Sequence, residues 1–306
     1  MFRNPKKPPV FLQHQVKSTN SLQQDVALLN KFSLRIAADA ARALDYAKIP
    51  NVLWGWLAVG LLGEDFRYPE VDFVVSDGKL QSAIEALVAA GFTLCTDSAC
   101  RERKEDRVAQ ESSDRLSKNE LNAITSPSRY HAVPDAHFHL DPSSYEYYTV
   151  LSLFTQSRFL WKGWWPELTL TAARTDTECP VADSFSPDHP HLMLSSDLDF
   201  FDNKDGSGPW MESPYAVKVL RPSLFAEALT YLWRRNWGDT KNVFMGWRAM
   251  LVLGLLYAKW DNDQRDNIRR GLKPEFMPVW DGLLGLTIKE DKNIHKRLLL
   301  FRKKAA

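Results

Sequence analysis

Two carboxylates separated by a single residue, Glu70 and Asp72 in the segment EVDFVV, are the residues of this chain best suited to chemistry. In an extended strand both fall on one face, with Val71 on the other. Neighbouring carboxylates repel each other, and a cation held between them is a natural resolution; the plain alternative is a charged turn entering a buried strand, with both acids solvated or salt-bridged. Upstream, Gly55 opens the apolar run GWLAVGLLG. A helix starting there aims backbone N–H groups and the positive end of its dipole at an anion such as a phosphate chain. A third carboxylate is available in AHFHLD, where His137, His139 and Asp141 occupy alternate positions of one strand face. Asp141 can complete a magnesium site, and the His-His-Asp face can hold a transition metal; the plain alternative is a polar outward face on an edge strand. Asp135, in the preceding turn, is the weaker substitute. Arg67, just before the acidic pair, and Lys218, at a later strand–helix junction, are cations able to reach phosphate.

The elements that must position these residues follow from periodicity. Val26, Leu29, Phe32, Ile36, Ala40 and Leu44 recur at helical spacing, which predicts a helix from Leu22 to about Ala47 with Ser21 as its cap and Pro50 beyond its end. VDFVV (71–75) reads as a short buried strand, residues 80–90 as a helix stopped by Gly91, and FTLC (92–95) as the next strand. RYHAV (129–133) and AHFHLD (136–141) are expected to form a hairpin around Pro134 and Asp135. YYTVLSLF (147–154), with a helix as its alternative, and LTLTAA (168–173) are further strands, whereas Pro180 to Asp205 reads mainly as loop. YAVKVL (215–220) is a strand leading into a helix near Pro222, and 222–236, 240–260, 263–271 and 275–300 are helical with no later strand. The fold class is α+β: a mixed sheet flanked by helices, then a helical C-terminal region. The expected organisation is a flexible arm over 1–20, an α/β domain over 21–221 carrying a loop insertion at 96–127, and a helical domain over 222–306.

The glycine-led helix, the acidic–apolar–acidic triplet Glu70-Val71-Asp72 and the later run VKVLRPSLFAEALTYLWRRNWGDTKNVF (217–244) together resemble the nucleotidyltransferase (polymerase beta-like) superfamily in a divergent, fungal-type form. That resemblance implies Mg2+ held by Glu70, Asp72 and Asp141. It also implies a nucleoside triphosphate contacted by Gly55, Trp56, Arg67 and Lys218, although Trp56 stands where the family has Gly or Ser. The implied activity is nucleotidyl transfer to a hydroxyl on a small molecule, a protein or RNA. Two alternatives use the same scaffold. One is aminoacyl-tRNA-dependent chemistry, as in the fungal arginine-containing cyclodipeptide synthases, with basic patches gripping tRNA. The other is a decayed transferase kept as a binding module. Lys218, Arg221, Arg234, Arg235 and Lys241 are the basic residues either reading draws on, and the tryptophans of 161–168 and 234–247 are candidates for stacking on bases.

Composition narrows the field. A net charge of +1 supplies no global attraction for nucleic acid or anionic membrane, although Lys296, Arg297, Arg302, Lys303 and Lys304 leave the tail locally basic. Hydrophobic residues at 44%, with eleven tryptophans, are ample for a large core. Cys95, Cys100 and Cys179 are too few and too uneven for a disulfide framework, and they read as lacking both metal-ligand spacing and a histidine partner. The first residues, MFRNPKKPPV, lack the apolar stretch of a secretory signal, and the runs at 53–63 and 249–258 are too short to span a bilayer. The expectation is a cytoplasmic protein with no membrane partner. P-loop, GxGxxG and GxSxG patterns are absent from the sequence.

Overall fold

The computed structural model describes residues 35–62, 70–103, 132–140, 150–160, 191–197, 209–210, 213, 215–235, 246–256 and 262–284. Helix α1 (35–46) buries Ile36, Ala37, Ala40, Ala41 and Leu44, the face its periodicity predicts. Strand β1 (Asn51–Trp54) runs directly into α2 (Gly55–Leu62), and β2 (Glu70–Val75) follows. Helix α3 (Leu80–Ala89) ends where Gly91 takes a φ of +97, and β3 (Thr93–Leu94) comes next. Then come β4 (Ala136–His139), β5 (Val150–Thr155), the single-turn α4 (Gln156–Phe159), β6 (Leu192–Leu194) and β7 (Lys218–Leu220). The described C-terminal part is helical: α5 (Pro222–Arg235), α6 (Gly246–Ala249) continuing as a π-helical segment (Met250–Leu256), α7 (Asn262–Gly271) and α8 (Met277–Leu284).

The strands form one mixed sheet in the order β3-β4-β5-β2-β1-β7-β6. β2 lies at its centre, antiparallel to β1 and parallel to β5, and all six of its residues are buried. A strand covered on both faces needs apolar side chains at every position that chemistry does not claim, which is why VDFVV reads as a continuous apolar run. Helices cover both faces. On one, Asn51 donates from Nδ2 to Asp45 of α1 at 2.7 Å. On the other, Trp54 packs on Phe159 of α4 and Phe225 of α5, at ring separations of 5.4 and 4.8 Å, and on Trp247 of α6. One hydrophobic core runs unbroken from α1 and the sheet into α5, α7 and α8. Among the described residues no helix is long and apolar enough to cross a membrane.

Three expectations need correction. The hairpin expected from 129–133 and 136–141 is not seen among the described residues: 132–133 are not strand, and β4 pairs with β3 and β5. Asp135, the weaker candidate ligand, is engaged by its neighbours. Its Oδ2 accepts the Thr155 N–H and hydroxyl, at 2.7 and 2.9 Å, and its Oδ1 pairs with Arg158 at 2.8 Å. β1 has no boundary of its own in the sequence, because NVLW and GWLAVGLLG form one apolar run, and the strand-to-helix switch falls on Gly55 rather than on any polar punctuation. β6 lies inside the expected loop 180–205. Its three residues are strand because they bond to β7 at the sheet edge, a pairing that local pattern does not reveal. The strand proposed at 168–173, the 1–20 arm and most of the 96–127 insertion lie outside the described residues.

Lys218, expected near a nucleotide, is buried beneath the sheet edge with its ammonium on Asp45 Oδ1. Asp45 also accepts from Asn51 and from the Tyr215 hydroxyl at 2.9 Å, so its carboxylate joins α1, β1 and the approach to β7. Both ionic side chains are about as buried as the core itself, 3% and 1% exposed. A pair this deep is costly to break from one side, because the surviving charge has no water. Asp45→Ala is expected to cost about 3–5 kcal/mol in urea denaturation, and the apolar double replacement Asp45→Leu/Lys218→Met is expected to recover most of it.

Candidate functional site

Glu70 and Asp72 share one face of β2, as strand alternation requires, and both are buried, at 7% and 3% exposure. Asp72 lies in register with Trp54 on β1 and Ser152 on β5, and Glu70 with Val150. Gly55 sits directly against Asp72. Its φ is +71, a region that L side chains avoid, and a Cβ placed on it would lie 2.2 Å from Asp72 Oδ2. The Asp72 carboxylate therefore rests on the first residue of α2, where a helix presents its positive dipole end. Two buried carboxylates on one strand face supply hard oxygen donors. That donor type is the one Mg2+ takes.

The other expected residues fare differently. Trp56 is buried in the core at 2% exposure, as is the whole of α2. Lys218 is committed to Asp45, as described above. Asp141 and Arg67 lie outside the described residues, as do Lys241, the tryptophans of 161–165 and the basic tail. β5, the strand beside β2, carries no acid. Ser152 stands opposite Asp72, fully buried, and its hydroxyl makes no hydrogen bond among the described residues. Arg235 turns Nη1 onto the Arg158 carbonyl at 2.6 Å, and burial, with Arg158 nearby, pulls its pKa down against the opposing influence of Tyr231. Trp247 belongs to the aromatic core around Trp54 and Phe159. A cleft of about 690 Å3 opens elsewhere, between α1 and the β3–β4 edge, where Arg35, Arg42 and His139 line it.

A second cluster corrects the expectation that the cysteines have no histidine partner. Cys95, Cys100, His137 and His139 bring one donor atom each to within 4.8 Å of one another. The Cys100 Sγ is 3.2 Å from His137 Nε2 and 3.5 Å from His139 Nε2. β4 supplies the two histidines from one face, and Cys95 extends the β3–β4 pairing by donating its N–H to the His137 carbonyl at 3.0 Å. Asp97 folds the intervening turn: its carboxylate accepts the Ala99 N–H at 2.8 Å and its carbonyl accepts the Cys100 N–H. Arg103 locks the turn from outside through the Cys95 carbonyl at 2.7 Å. Burial pushes the Cys100 thiol above its ordinary pKa and Cys95 adds to this, while a hydrogen bond from the Glu102 backbone acts against them. A signal was present in the sequence. Cys-x4-Cys falls within the spacing of zinc-binding pairs, but His-x-His is a strand spacing, and the two pairs meet only across a sheet.

Gly55 is the residue this site tolerates changing least. Gly55→Ala is expected to lower the thermal midpoint by the equivalent of about 1–3 kcal/mol or more from backbone strain alone, and Asp72→Ala in the same chain is expected to return part of that loss by vacating the space. Differential scanning calorimetry of the two single variants and the double variant checks this. Compared with known proteins, the chain matches no family model, and no curated protein is similar to it.

Proposed function

We propose that this chain is a divalent-cation-dependent transferase of the nucleotidyltransferase type, moving a nucleotidyl group from a nucleoside triphosphate to a hydroxyl acceptor. The observation that carries the proposal is the contact between Gly55 at the start of α2 and the carboxylate of Asp72, with Glu70 beside it on the same buried face. The surrounding order supports it: strand β1, a glycine-led helix, then an acidic strand antiparallel to the first and central in a mixed sheet. Glu70 and Asp72 would hold Mg2+. When bound, the ion neutralises phosphate charge and lowers the pKa of an attacking hydroxyl. The protein's own contribution is to fix two oxygen donors on a rigid central strand and to keep water from them, so that their charge acts in a low-dielectric setting. The amino end of α2 adds a favourable field for phosphate.

Ser152 favours a second reading. The strand next to β2 offers a hydroxyl where a third acid would stand opposite Asp72. A hydroxyl at that position suits a scaffold that has moved away from triphosphate chemistry, toward an aminoacyl-tRNA-using enzyme or a binding module.

Thermal-shift titration with ATP, GTP, CTP and UTP, with and without Mg2+, separates the two. Transferase chemistry predicts Mg2+-dependent stabilisation by at least one triphosphate, about 2.7 kcal/mol at a hundredfold excess over Kd, and its loss in Glu70→Gln/Asp72→Asn. No response to any triphosphate, together with tRNA binding that weakens steeply with salt, would put the second reading in its place.

A further inference from the structure

We propose that Cys95, Cys100, His137 and His139 form a tetrahedral zinc site that ties the turn after β3 to strand β4, separately from the Glu70–Asp72 site and whatever that site does. The donor set argues for the ion. Two sulfurs and two imidazole nitrogens are the ligands of structural zinc, whereas magnesium and calcium take oxygen. Zn–S bonds of ~2.3 Å and Zn–N bonds of ~2.0–2.1 Å place sulfur and nitrogen roughly 3.6 Å apart across a tetrahedral edge. The two Cys100–histidine separations, 3.2 and 3.5 Å, are already close to that edge. All four donors lie within 4.8 Å of one another, so modest rotations of side chains bring the set onto one ion.

The residues come from positions rigid enough to hold such a site. His137 and His139 stand on a strand paired on both sides, with His137 only 1% exposed. Cys95 is buried and bonded through its backbone to His137, and Cys100 is returned toward them by the Asp97 turn. The rings of His137 and His139 meet edge to face with centroids 5.2 Å apart. Neither cysteine is in a disulfide. On binding, both thiols give their protons to solvent, and two thiolates then balance the charge of Zn2+, so the filled site adds no net charge to a half-buried region.

The ion would also constrain the chain. Cys100 and His137 are 37 positions apart, and a bond through zinc closes that loop at its base. His137 is in register with Ser152 and through it with Asp72, and His139 with Val150 and through it with Glu70. At the ordinary strand spacing the zinc ligands therefore lie ~10 Å from the carboxylates along one face of the same sheet. Soft and hard donors occupy neighbouring stretches of that face, each suited to a different metal.

The test is metal analysis of the full chain purified under reducing conditions, with cobalt(II) substitution as a second readout. The expected result is one zinc per chain. The cobalt form should show the ligand-field bands of a tetrahedral ion and a thiolate charge-transfer band, and zinc should abolish both. Zinc should fall to background in Cys100→Ser and His139→Ala, yet stay stoichiometric in Cys179→Ser and in Glu70→Gln/Asp72→Asn. If a cluster variant fails to fold, the cobalt spectrum of the wild-type chain still decides the matter. A wild-type protein that carries no zinc and gives only an octahedral cobalt spectrum would overturn the proposal. So would a Cys95–Cys100 disulfide in the freshly purified chain, or loss of zinc from the carboxylate variant.

Discussion

The centre of this fold depends on a close approach that only glycine permits. Gly55 turns the chain from β1 into α2 with a positive φ, and in doing so lets the backbone come against the Asp72 side chain. Any other residue would bring a Cβ into the carboxylate. Because β1 and β2 are antiparallel neighbours, that contact fixes the start of α2 relative to the sheet and aims the amino end of the helix at Asp72. Trp54, immediately before Gly55, is held by Phe159, Phe225 and Trp247, so aromatic packing from three helices secures the other side of the same joint. Steric economy at one backbone position and heavy packing at the preceding one together place a pair of acids in the interior.

Charges inside this protein are handled in different ways, and the contrast separates structure from chemistry. Asp45 and Lys218 neutralise each other, and the remaining acceptor capacity of Asp45 is used by Asn51 and Tyr215. Such a set is self-sufficient and binds elements together. Glu70 and Asp72 instead place two carboxylates side by side on one buried strand face, where each raises the cost of ionising the other. Glu227 shows a third solution. It stands in α5, is buried, and accepts the Lys273 N–H at 2.5 Å, so it stitches α5 to the chain entering α8.

The row Trp54–Asp72–Ser152–His137 crosses four strands and carries, in order, an aromatic anchor, an acid, a buried hydroxyl and a histidine. Two residues along the same strands, Glu70, Val150 and His139 repeat the gradient from acid to imidazole. Oxygen donors at the sheet centre and nitrogen and sulfur donors toward its edge make two chemically distinct neighbourhoods on a single surface. The rigidity of the paired strands lets both be held without loops having to do the positioning.

Local chemistry decided a good deal of this by itself. The 3.6-residue periodicity of α1, α3 and α5, the apolar run of β2 and the junction at Pro222 each express one element's burial, and each was legible from the residues alone. So was the pairing of Glu70 and Asp72 on one face, because strand alternation is a property of the backbone. Partnership between distant segments was not legible. β6 is a strand only because β7 offers it hydrogen bonds, Lys218 is a buried ion-pair partner only because α1 brings Asp45 to it, and Asp135 is spent on Thr155 and Arg158. The cysteines that follow β3 and the histidines of β4 are the sharpest case. Each pair carries half a ligand set at a spacing that says little alone, and only antiparallel pairing of the two strands makes four donors converge. Periodicity reports which face of an element is buried, whereas tertiary structure alone decides what that face meets.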